Sequence, residues 1–314
     1  MGNQVIGSAD GFGSQVPGVG PQPAAYVRAE LVDEALACLA RYSGAAQVMA
    51  GGTDLMPDMR RKQRQPLCLV DISRISELSS VDVADRCVTV GAAVTYDTLQ
   101  RDLFLQEHVV AVTDAARSVG AWAIQSMATW VGNIVQAMPA ADGAIVAIAL
   151  DAELRVADSE GCRWLSVEST FAGPGVSTID SSRQLVTHIR FTLPDSRFGT
   201  GWQRIGRRDS LELPILNCAA KVCLSEDNMV QEAAIALGPV APRPYRAREA
   251  ELFLAGKELT EDVLQQAGVI VQHESSPRSS AARASREYRL RVIPSLVATT
   301  LAKAAANASL HPND

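Results

Sequence analysis

The sequence predicts an α+β protein of two domains. Strand-like and helix-like segments are mixed along the chain without a regular strand–helix–strand repeat, which is the pattern of α+β folds. The pattern changes near residue 197, between Pro194, which closes one mixed segment, and Gly201, which opens the next. The 314 residues, of which 47% are hydrophobic and 20% charged, are enough to bury two cores.

The first 24 residues are predicted to form a flexible arm. They hold glycine at positions 2, 7, 11, 13, 18 and 20 and proline at 17, 21 and 23, with no continuous apolar segment. This stretch lacks the pattern of a secretory signal, and the longest apolar run, 144–150, is too short to cross a membrane. We therefore expect a cytoplasmic protein.

The elements of both domains follow from periodicity and caps. The first helix has apolar residues at helical spacing from Val32 to Ala40 and stops at Ser43-Gly44. The rest of the first domain predicts strands at 46–49, 67–72, 87–94, 153–157 and 185–193, and helices at 55–62, after the cap Thr95, at 109–119 and at about 142–150. The second domain predicts strands at 219–224 and 232–237, helices at 246–255, 261–273 (capped by Thr260) and about 287–306, and a loop at 274–285.

A glycine pair follows the first of these strands, in the segment AGGTDL at 50–55. Because glycine lacks a Cβ atom, an anion can approach the backbone closely, and the amides of Gly51, Gly52 and Thr53 at a helix start can converge on it. The segment matches neither the GxGxxG dinucleotide turn nor the GxxxxGK[ST] loop. The alternative is an ordinary Gly-Gly turn.

A second loop with similar properties lies in ATWVGNIVQAMPAAD at 128–142. Gly132 again permits a close backbone approach, Thr129 and Asn133 flank it with short polar side chains, and Asp142 begins a helix. Asn133 as a turn residue and Asp142 as a simple N-cap are the structural alternatives. Two such loops in one chain suit a pyrophosphate that is held from two sides.

The sequence offers no metal site and no catalytic side chain. None of the six cysteines forms a CxxC pair, and the four histidines are isolated. Asp plus Glu number 35 against 29 for Lys plus Arg, which gives a net charge of −6 and argues against general affinity for nucleic acid.

Taken in order, these motifs resemble the FAD-binding medium subunits of molybdenum hydroxylases. That family includes the medium subunit of carbon monoxide dehydrogenase and the flavin domain of xanthine dehydrogenase. The resemblance runs from about residue 25 to 305. It rests on AGGTDLMPDMR at 50–60, LVDISRISEL at 69–78, ATWVGNI and PAAD within 128–142, GPG and IRFTLP within 173–194, ALGPVAPRPYRAREAE at 236–251 and SREYR at 285–289.

The resemblance implies a fold and a set of cofactor contacts. It implies a two-subdomain FAD-binding domain of the vanillyl-alcohol-oxidase-like type at 25–197 (subdomains about 25–80 and 81–197), followed by a smaller α/β C-terminal domain at 198–308. Asp142 is expected to contact the ribityl or ribose region, Leu185 or Val186 to lie near the flavin ring, and Val119 and Gly120 to line the same cavity. The residues expected to grip the FAD pyrophosphate are Ala50, Gly51, Gly52, Thr53, Asp54, Leu55, Thr129, Gly132 and Asn133.

Three positions depart from the family pattern. Val131 replaces a glycine of the second loop and cannot adopt a positive φ cheaply. Gln125 replaces an arginine before that loop. Gln203 aligns with a lysine that many relatives place near the flavin, so that a positive charge is expected to be lost there and the flavin potential to be lower. The chain also lacks the cysteine-bearing insertion that adds an iron–sulfur cluster in one branch of the family.

The resemblance also implies partners. A large subunit would oxidise a substrate at a molybdopterin site, two-iron two-sulfur clusters on a small subunit would carry the electrons, and non-covalent FAD in this chain would pass them to an external acceptor. The expected assembly is a dimer of heterotrimers. Two other hypotheses stay open: a stand-alone FAD-dependent oxidoreductase with its own substrate pocket, and a non-enzymatic interaction protein that uses the glycine loops only as turns.

Overall fold

The computed structural model describes residues 23–195, 197–208 and 211–310. The arm predicted at 1–24 lies outside these ranges except for its last two residues. Within the described ranges, no helix is both long and apolar enough to span a membrane.

The chain begins with a small parallel sheet. Its elements are β1 (Ala25–Arg28), α1 (Val32–Tyr42), β2 (Ala46–Met49), α2 (Leu55–Arg60) and β3 (Cys68–Asp71). The strand order is β1-β3-β2, and the central strand β3 is buried along its whole length. The helix α1 ends where Ser43 adopts a left-handed conformation with φ 48°, as the Ser43-Gly44 stop predicts. β2 runs directly into the first glycine loop.

The next unit places an antiparallel sheet beside a group of helices. The sheet order is β4-β5-β10-β6-β7, and β8 and β9 form a separate small pair. The elements are β4 (Val81–Ala84), β5 (Cys87–Gly91), α3 (Tyr96–Arg101), α4 (Leu103–His108), α5 (Val110–Ser118), α6 (Trp122–Gln125), α7 (Trp130–Val135), α8 (Asp142–Ala149), β6 (Glu153–Asp158), β7 (Gly161–Ser166), β8 (Phe171–Gly173), β9 (Val176–Ser177) and β10 (Leu185–Thr192). The helix α8 is buried along its whole length.

The C-terminal unit is a four-stranded antiparallel sheet covered by helices. The strand order is β11-β12-β13-β14. Its elements are β11 (Arg197–Ile205), β12 (Leu216–Leu224), β13 (Val230–Gly238), β14 (Tyr245–Arg246), α9 (Arg248–Leu254), α10 (Glu261–Glu274) and α11 (Arg286–Leu310). A Cβ atom on Gly199 would lie 2.2 Å from the carbonyl oxygen of Ala304, and one on Gly201 would lie 2.3 Å from that of Thr300. These glycines therefore allow α11 to lie directly on one face of β11.

The predicted caps are confirmed, and half of the fourteen strands in the described ranges were missed. The hydroxyl oxygens of Thr95 and Thr260 accept hydrogen bonds from the backbone amides of Thr98 and Val263. The periodicity did not predict the strands β1, β4, β7, β8, β9, β11 and β14, most of which are short. The segment of β11 holds two glycines and several polar residues, so it lacks the apolar run by which β12 and β13 were recognised.

Candidate functional site

A cavity of ≈ 320 Å³ lies where the parallel sheet meets the helical unit. Both glycine loops form its walls, together with the end of α5, the strand β10 and the loop after β11. The predicted site residues that line it are Ala50, Gly51, Gly52, Thr53, Asp54, Leu55, Val119, Gly120, Thr129, Gly132, Asn133 and Val186. Segments that are distant in the sequence thus meet around one space.

The first glycine loop presents unused hydrogen-bond donors to this cavity. The consecutive backbone amides of residues 51–55 donate no hydrogen bond to any group in the described part of the chain. Gly52 has a φ of +66°, which turns the chain so that consecutive amides can face one side. Gly51 has a different role: a Cβ atom there would lie 1.8 Å from the carbonyl oxygen of Met127, so its absence lets the two loops touch.

The second loop is the first turn of helix α7. The Thr129 hydroxyl caps this helix by accepting a hydrogen bond from the Gly132 amide at 3.0 Å. The amides of Trp130 and Val131 meet no acceptor among the described residues. Val131 is absent from the positive-φ residues and lies inside α7, so its replacement of glycine causes no backbone strain.

Asn133 joins the second loop to α8. Its side-chain oxygen accepts a hydrogen bond from the Gly143 amide at 3.1 Å. The interpretation of Asn133 as a local turn residue is therefore wrong, since this contact links two helices.

Gln125, the second departure from the family pattern, supports the cavity wall from behind. It is buried, and its side-chain amide donates to the carbonyl oxygens of Arg117 and Val119, both at 3.0 Å. Its own oxygen accepts a hydrogen bond from Gln100 at 3.3 Å. A neutral amide thus holds the segment that leads into Gly120.

Three predicted site residues do not line the cavity. Leu185 is fully buried in the core, whereas its neighbour Val186 reaches the cavity, because successive residues of β10 face opposite sides of the sheet. Asp142 is turned toward the C-terminal domain. Gln203 lies on the strand β11, outside the cavity.

The alternation along β11 explains the position of Gln203. Gly199 and Gly201 face α11, and Gln203 follows them at the same spacing of two. The intervening residues face the first domain, where Thr200 accepts a hydrogen bond from Ala111 and Arg204 contacts Asp142. The next residue, Arg204, carries a positive charge at the boundary between the domains, where it faces Asp142.

Asp142 lies in a buried contact between the two domains. The side-chain amide of Asn217 donates to Asp142 Oδ1 at 2.6 Å, and Arg204 Nη1 lies 3.5 Å from Asp142 Oδ2. Burial raises the pKa of Asp142 to about 6, although Arg204, Asn217 and Ser118 each lower it. Asp142 is the first residue of α8 and Ala141 is the N-cap, so the simple N-cap alternative is wrong.

Two charged side chains occur among the described residues that line the cavity, Asp54 and Arg64. Burial raises the pKa of Asp54, and the charge of Arg64 opposes that rise. Arg64 donates to the side-chain oxygen of Gln136 at 3.4 Å and lies 3.7 Å from Asp58. Sequence reasoning missed Arg64 because it belongs to a run of basic residues at 60–64 that is typical of a solvated surface.

Comparison with protein families identifies the kind of protein that contains this cavity. A family model described as the FAD binding domain in molybdopterin dehydrogenase matches residues 21–194, more than half of the chain. A second model, the CO dehydrogenase flavoprotein C-terminal domain, matches residues 203–304. The chain belongs to the FAD-binding subunits of the molybdopterin dehydrogenases.

Individual relatives agree with this flavoprotein assignment. The chain is 30% identical over 286 residues to the xanthine dehydrogenase FAD-binding subunit of Escherichia coli O157:H7. The aligned region covers 91% of this chain and 97% of that one. It is 28% identical over 238 residues to the carbon monoxide dehydrogenase medium chain of Hydrogenophaga pseudoflava, with 75% and 81% covered. This flavoprotein is therefore a subunit of an oxidoreductase.

Solved structures share its fold. Carbon monoxide dehydrogenase from Hydrogenophaga pseudoflava matches with a TM-score of 0.84 at 24% identity, over 93% of this chain and 99% of that one. Quinoline 2-oxidoreductase from Pseudomonas putida 86 matches with a TM-score of 0.83 at 24% identity, over 94% and 99%. Both likenesses extend across the FAD-binding domain and the C-terminal domain.

The residues of the cavity fit FAD. A pyrophosphate needs several converging N–H donors, and the unused amides of residues 51–55 and of the first turn of α7 meet that need. The apolar side chains of Val48, Ile72, Val119 and Val186 provide surfaces against which flat rings can pack.

Proposed function

We propose that this flavoprotein is the electron-transfer subunit of a molybdenum-containing hydroxylase or dehydrogenase. It receives electrons from iron–sulfur clusters of a small partner subunit and delivers them to an external acceptor. Bound FAD supplies the redox chemistry, and the protein binds and orients it. The observation that carries the proposal is the row of unused amides in a cavity of the FAD-binding domain.

The chain's own residues hold and shield the cofactor. The amides of residues 51–55, with Thr129, Gly132 and Asn133, bind the pyrophosphate, while Val119, Gly120 and Val186 pack against the rings. Among the described residues that line the cavity there is no histidine or cysteine, the usual points of covalent flavin attachment, which supports non-covalent binding. We assign no catalytic acid or base.

We further place the FAD-binding domain in the vanillyl-alcohol-oxidase-like type. In support, the cofactor cavity lies between two subdomains, a parallel sheet of three strands and an antiparallel sheet of five. The subdomain ranges are those inferred from the sequence, about 25–80 and 81–197, and the C-terminal domain is 198–308.

The proposed partners are a small iron–sulfur subunit and a large molybdopterin subunit, assembled as a dimer of heterotrimers in the cytoplasm. The names of relatives support this, since one is a medium chain and another an FAD-binding subunit. A matched carbon monoxide dehydrogenase structure is described as lacking the Mo-pyranopterin moiety of its molybdenum cofactor.

Purification from the native source tests the proposal. We expect a complex that contains iron, molybdenum and FAD released by acid, and an isolated chain that binds FAD but oxidises no organic substrate at a useful rate. An active preparation of this polypeptide alone, free of both metals, would favour the stand-alone flavoenzyme. A visible spectrum without flavin bands, both in the complex and in the chain that has been incubated with FAD and then freed of unbound FAD, would favour the interaction protein.

Replacing Gly52 by Val tests the first loop directly. Valine at a φ of +66° is strained, and the resulting shift of the amides should abolish most FAD binding. Gly256→Val is the matched control, because Gly256 has a φ of +71° with no atom within 4 Å of an added Cβ. Both variants should lose stability, and only Gly52→Val should lose FAD on equilibrium titration. A Gly52→Val chain with full flavin content would show that the loop is merely a turn.

A further inference from the structure

We propose that Arg204 is a positioning residue that couples the docking of the C-terminal domain to the shape of the FAD cavity. The inference rests on the proposed FAD binding and concerns how the cavity wall is held. Arg204 reaches from β11 into the boundary between the domains, and only 12% of its side chain is exposed. It does not line the cavity itself.

The guanidinium group of Arg204 binds two separate backbone segments. Nη1 donates a hydrogen bond to the carbonyl oxygen of Ser118, at the end of α5, and Nη2 donates to that of Glu212, in the loop after β11. Asp142, at the start of α8, provides the opposing negative charge. Arg204 of the C-terminal domain therefore contacts two helices of the FAD-binding domain, the end of α5 and the start of α8.

Both segments continue directly into the cavity wall. Ser118 precedes Val119 and Gly120, and Glu212 precedes Leu213, all of which line the cavity. The two segments are also joined by a hydrogen bond from the Leu211 amide to the Gly120 carbonyl oxygen at 3.0 Å. Residues 119–121 and 211–213 belong to no helix or strand, so a repeating ladder of backbone hydrogen bonds does not hold them in place.

The chemistry of the side chain explains why arginine suits this position. A guanidinium presents several N–H groups in a rigid plane and can donate to two carbonyl oxygens while it faces a carboxylate. A lysine ammonium carries the same charge as a single point and cannot span the same pair of carbonyls. Asn217 bonds Asp142 from the adjacent strand β12, so that the carboxylate stays oriented toward Arg204.

The test compares Arg204→Gln and Arg204→Lys with Asp151→Asn in the full-length chain. Asp151 is the matched control, because it follows the other end of α8 and pairs with Lys221 of the C-terminal domain away from the cavity. The readouts are the Kd for FAD from flavin fluorescence, the visible circular dichroism of bound flavin, and amide hydrogen exchange in 118–121 and 211–213.

We expect Arg204→Gln to raise the Kd for FAD about 10- to 100-fold, which is about the value of one hydrogen bond from a charged donor, because part of the loss of the two bonds weakens domain docking rather than FAD binding. Exchange in both wall segments should accelerate. Arg204→Lys keeps the charge opposite Asp142 and should fold, yet its Kd should still rise roughly tenfold with an altered dichroism of the flavin. Asp151→Asn should lower the unfolding temperature and leave the Kd unchanged.

Three outcomes would overturn the inference. An unchanged Kd in Arg204→Lys would show that charge alone suffices. A raised Kd without faster exchange in the wall segments would show that Arg204 acts on the cofactor directly. A rise in Kd of the same size in Asp151→Asn would show that any loss of domain docking weakens the binding of FAD. In each case the parent chain still binds FAD and the proposed function stands, whereas a parent chain with no FAD affinity would overturn both.

Discussion

The two ends of helix α8 dock the C-terminal domain in different ways. At the first residue, Asp142 is buried and faces the single cation Arg204, and burial raises its pKa. Beyond the last turn, Asp151 is half-exposed and faces two cations, Lys221 Nζ at 3.0 Å and Arg246 Nη1 at 2.6 Å. These contacts lower the pKa of Asp151.

The difference shows that an ion pair between domains can either stabilise the fold or hold neighbouring segments in position. At Asp151, two cations and partial hydration make the charged carboxylate favourable. At Asp142, dehydration outweighs the attraction of Arg204, so the charge is held at a cost. That cost is located beside the FAD cavity, where Arg204 also binds the wall segments, whereas the Asp151 end lies away from it.

The largest effect is expected at the far end of α8, for Arg246→Met. The side chain of Arg246 is 6% exposed, pairs with Asp151 and Glu251, and donates to the carbonyl oxygen of Ile148 at 2.9 Å. The loss of Arg246 leaves the buried carboxylate of Glu251 without its cation, which costs about 3–5 kcal/mol of unfolding free energy. Denaturation in urea measures this loss, and the Kd for FAD of the folded protein should not change.

Arg248→Met is the control for this variant. Arg248 also pairs across the domains, with Glu168 at 2.5 Å, but 62% of its side chain is exposed. Its removal should cost at most about 1 kcal/mol. Equal losses in the two variants would contradict the role of burial at this end of α8.

The opposite pKa shifts predict opposite pH dependences. The pKa of Asp142 rises from 3.8 when unfolded to about 6 when folded, so its contribution to stability is present at low pH and falls, by about 3 kcal/mol in all, as the pH rises from well below 4 to well above 6. The pKa of Asp151 falls on folding, so its contribution is present above about pH 4 and is lost as the pH drops through the lowered value.

Asp142→Asn and Asp151→Asn separate these two contributions. Relative to the parent, the unfolding free energy of Asp142→Asn should increase between pH 4 and 6. That of Asp151→Asn should decrease as the pH rises through about 4. Denaturant titrations from below pH 4 to above pH 6 measure both differences in unfolding free energy. If both differences changed with pH in the same direction, the contrast between the two ends of α8 would be refuted.

The smallest effect is expected for Asn133→Ala, which removes a hydrogen bond at the cavity end of α8. The Gly143 amide loses its acceptor, and one such bond is worth about 0.5–1.5 kcal/mol. The Kd for FAD should rise by up to about tenfold, less than in Arg204→Gln. Asn307→Ala, which removes a hydrogen bond of 2.8 Å to the Thr200 carbonyl oxygen away from the cavity, should leave the Kd unchanged.

Local sequence predicted much of the fold and the type of site. The caps Thr95 and Thr260 were recognised because a cap depends on a few neighbouring residues. The glycine loops were recognised because a close backbone approach requires glycine wherever the rest of the chain lies. The strand β11 was missed, since its glycines serve contact with α11, a helix that lies about 100 residues later.

The sequence by itself determined that this chain has two backbone loops suited to a pyrophosphate and that it belongs with FAD-binding subunits. These are properties of short segments and of their order. The tertiary structure decided that Arg204, rather than Gln203, faces the FAD-binding domain, and that Asp142 pairs with it outside the cavity. A strand reverses the direction of its side chains at every residue, so only the packing of β11 between α11 and the first domain assigns each residue to a face.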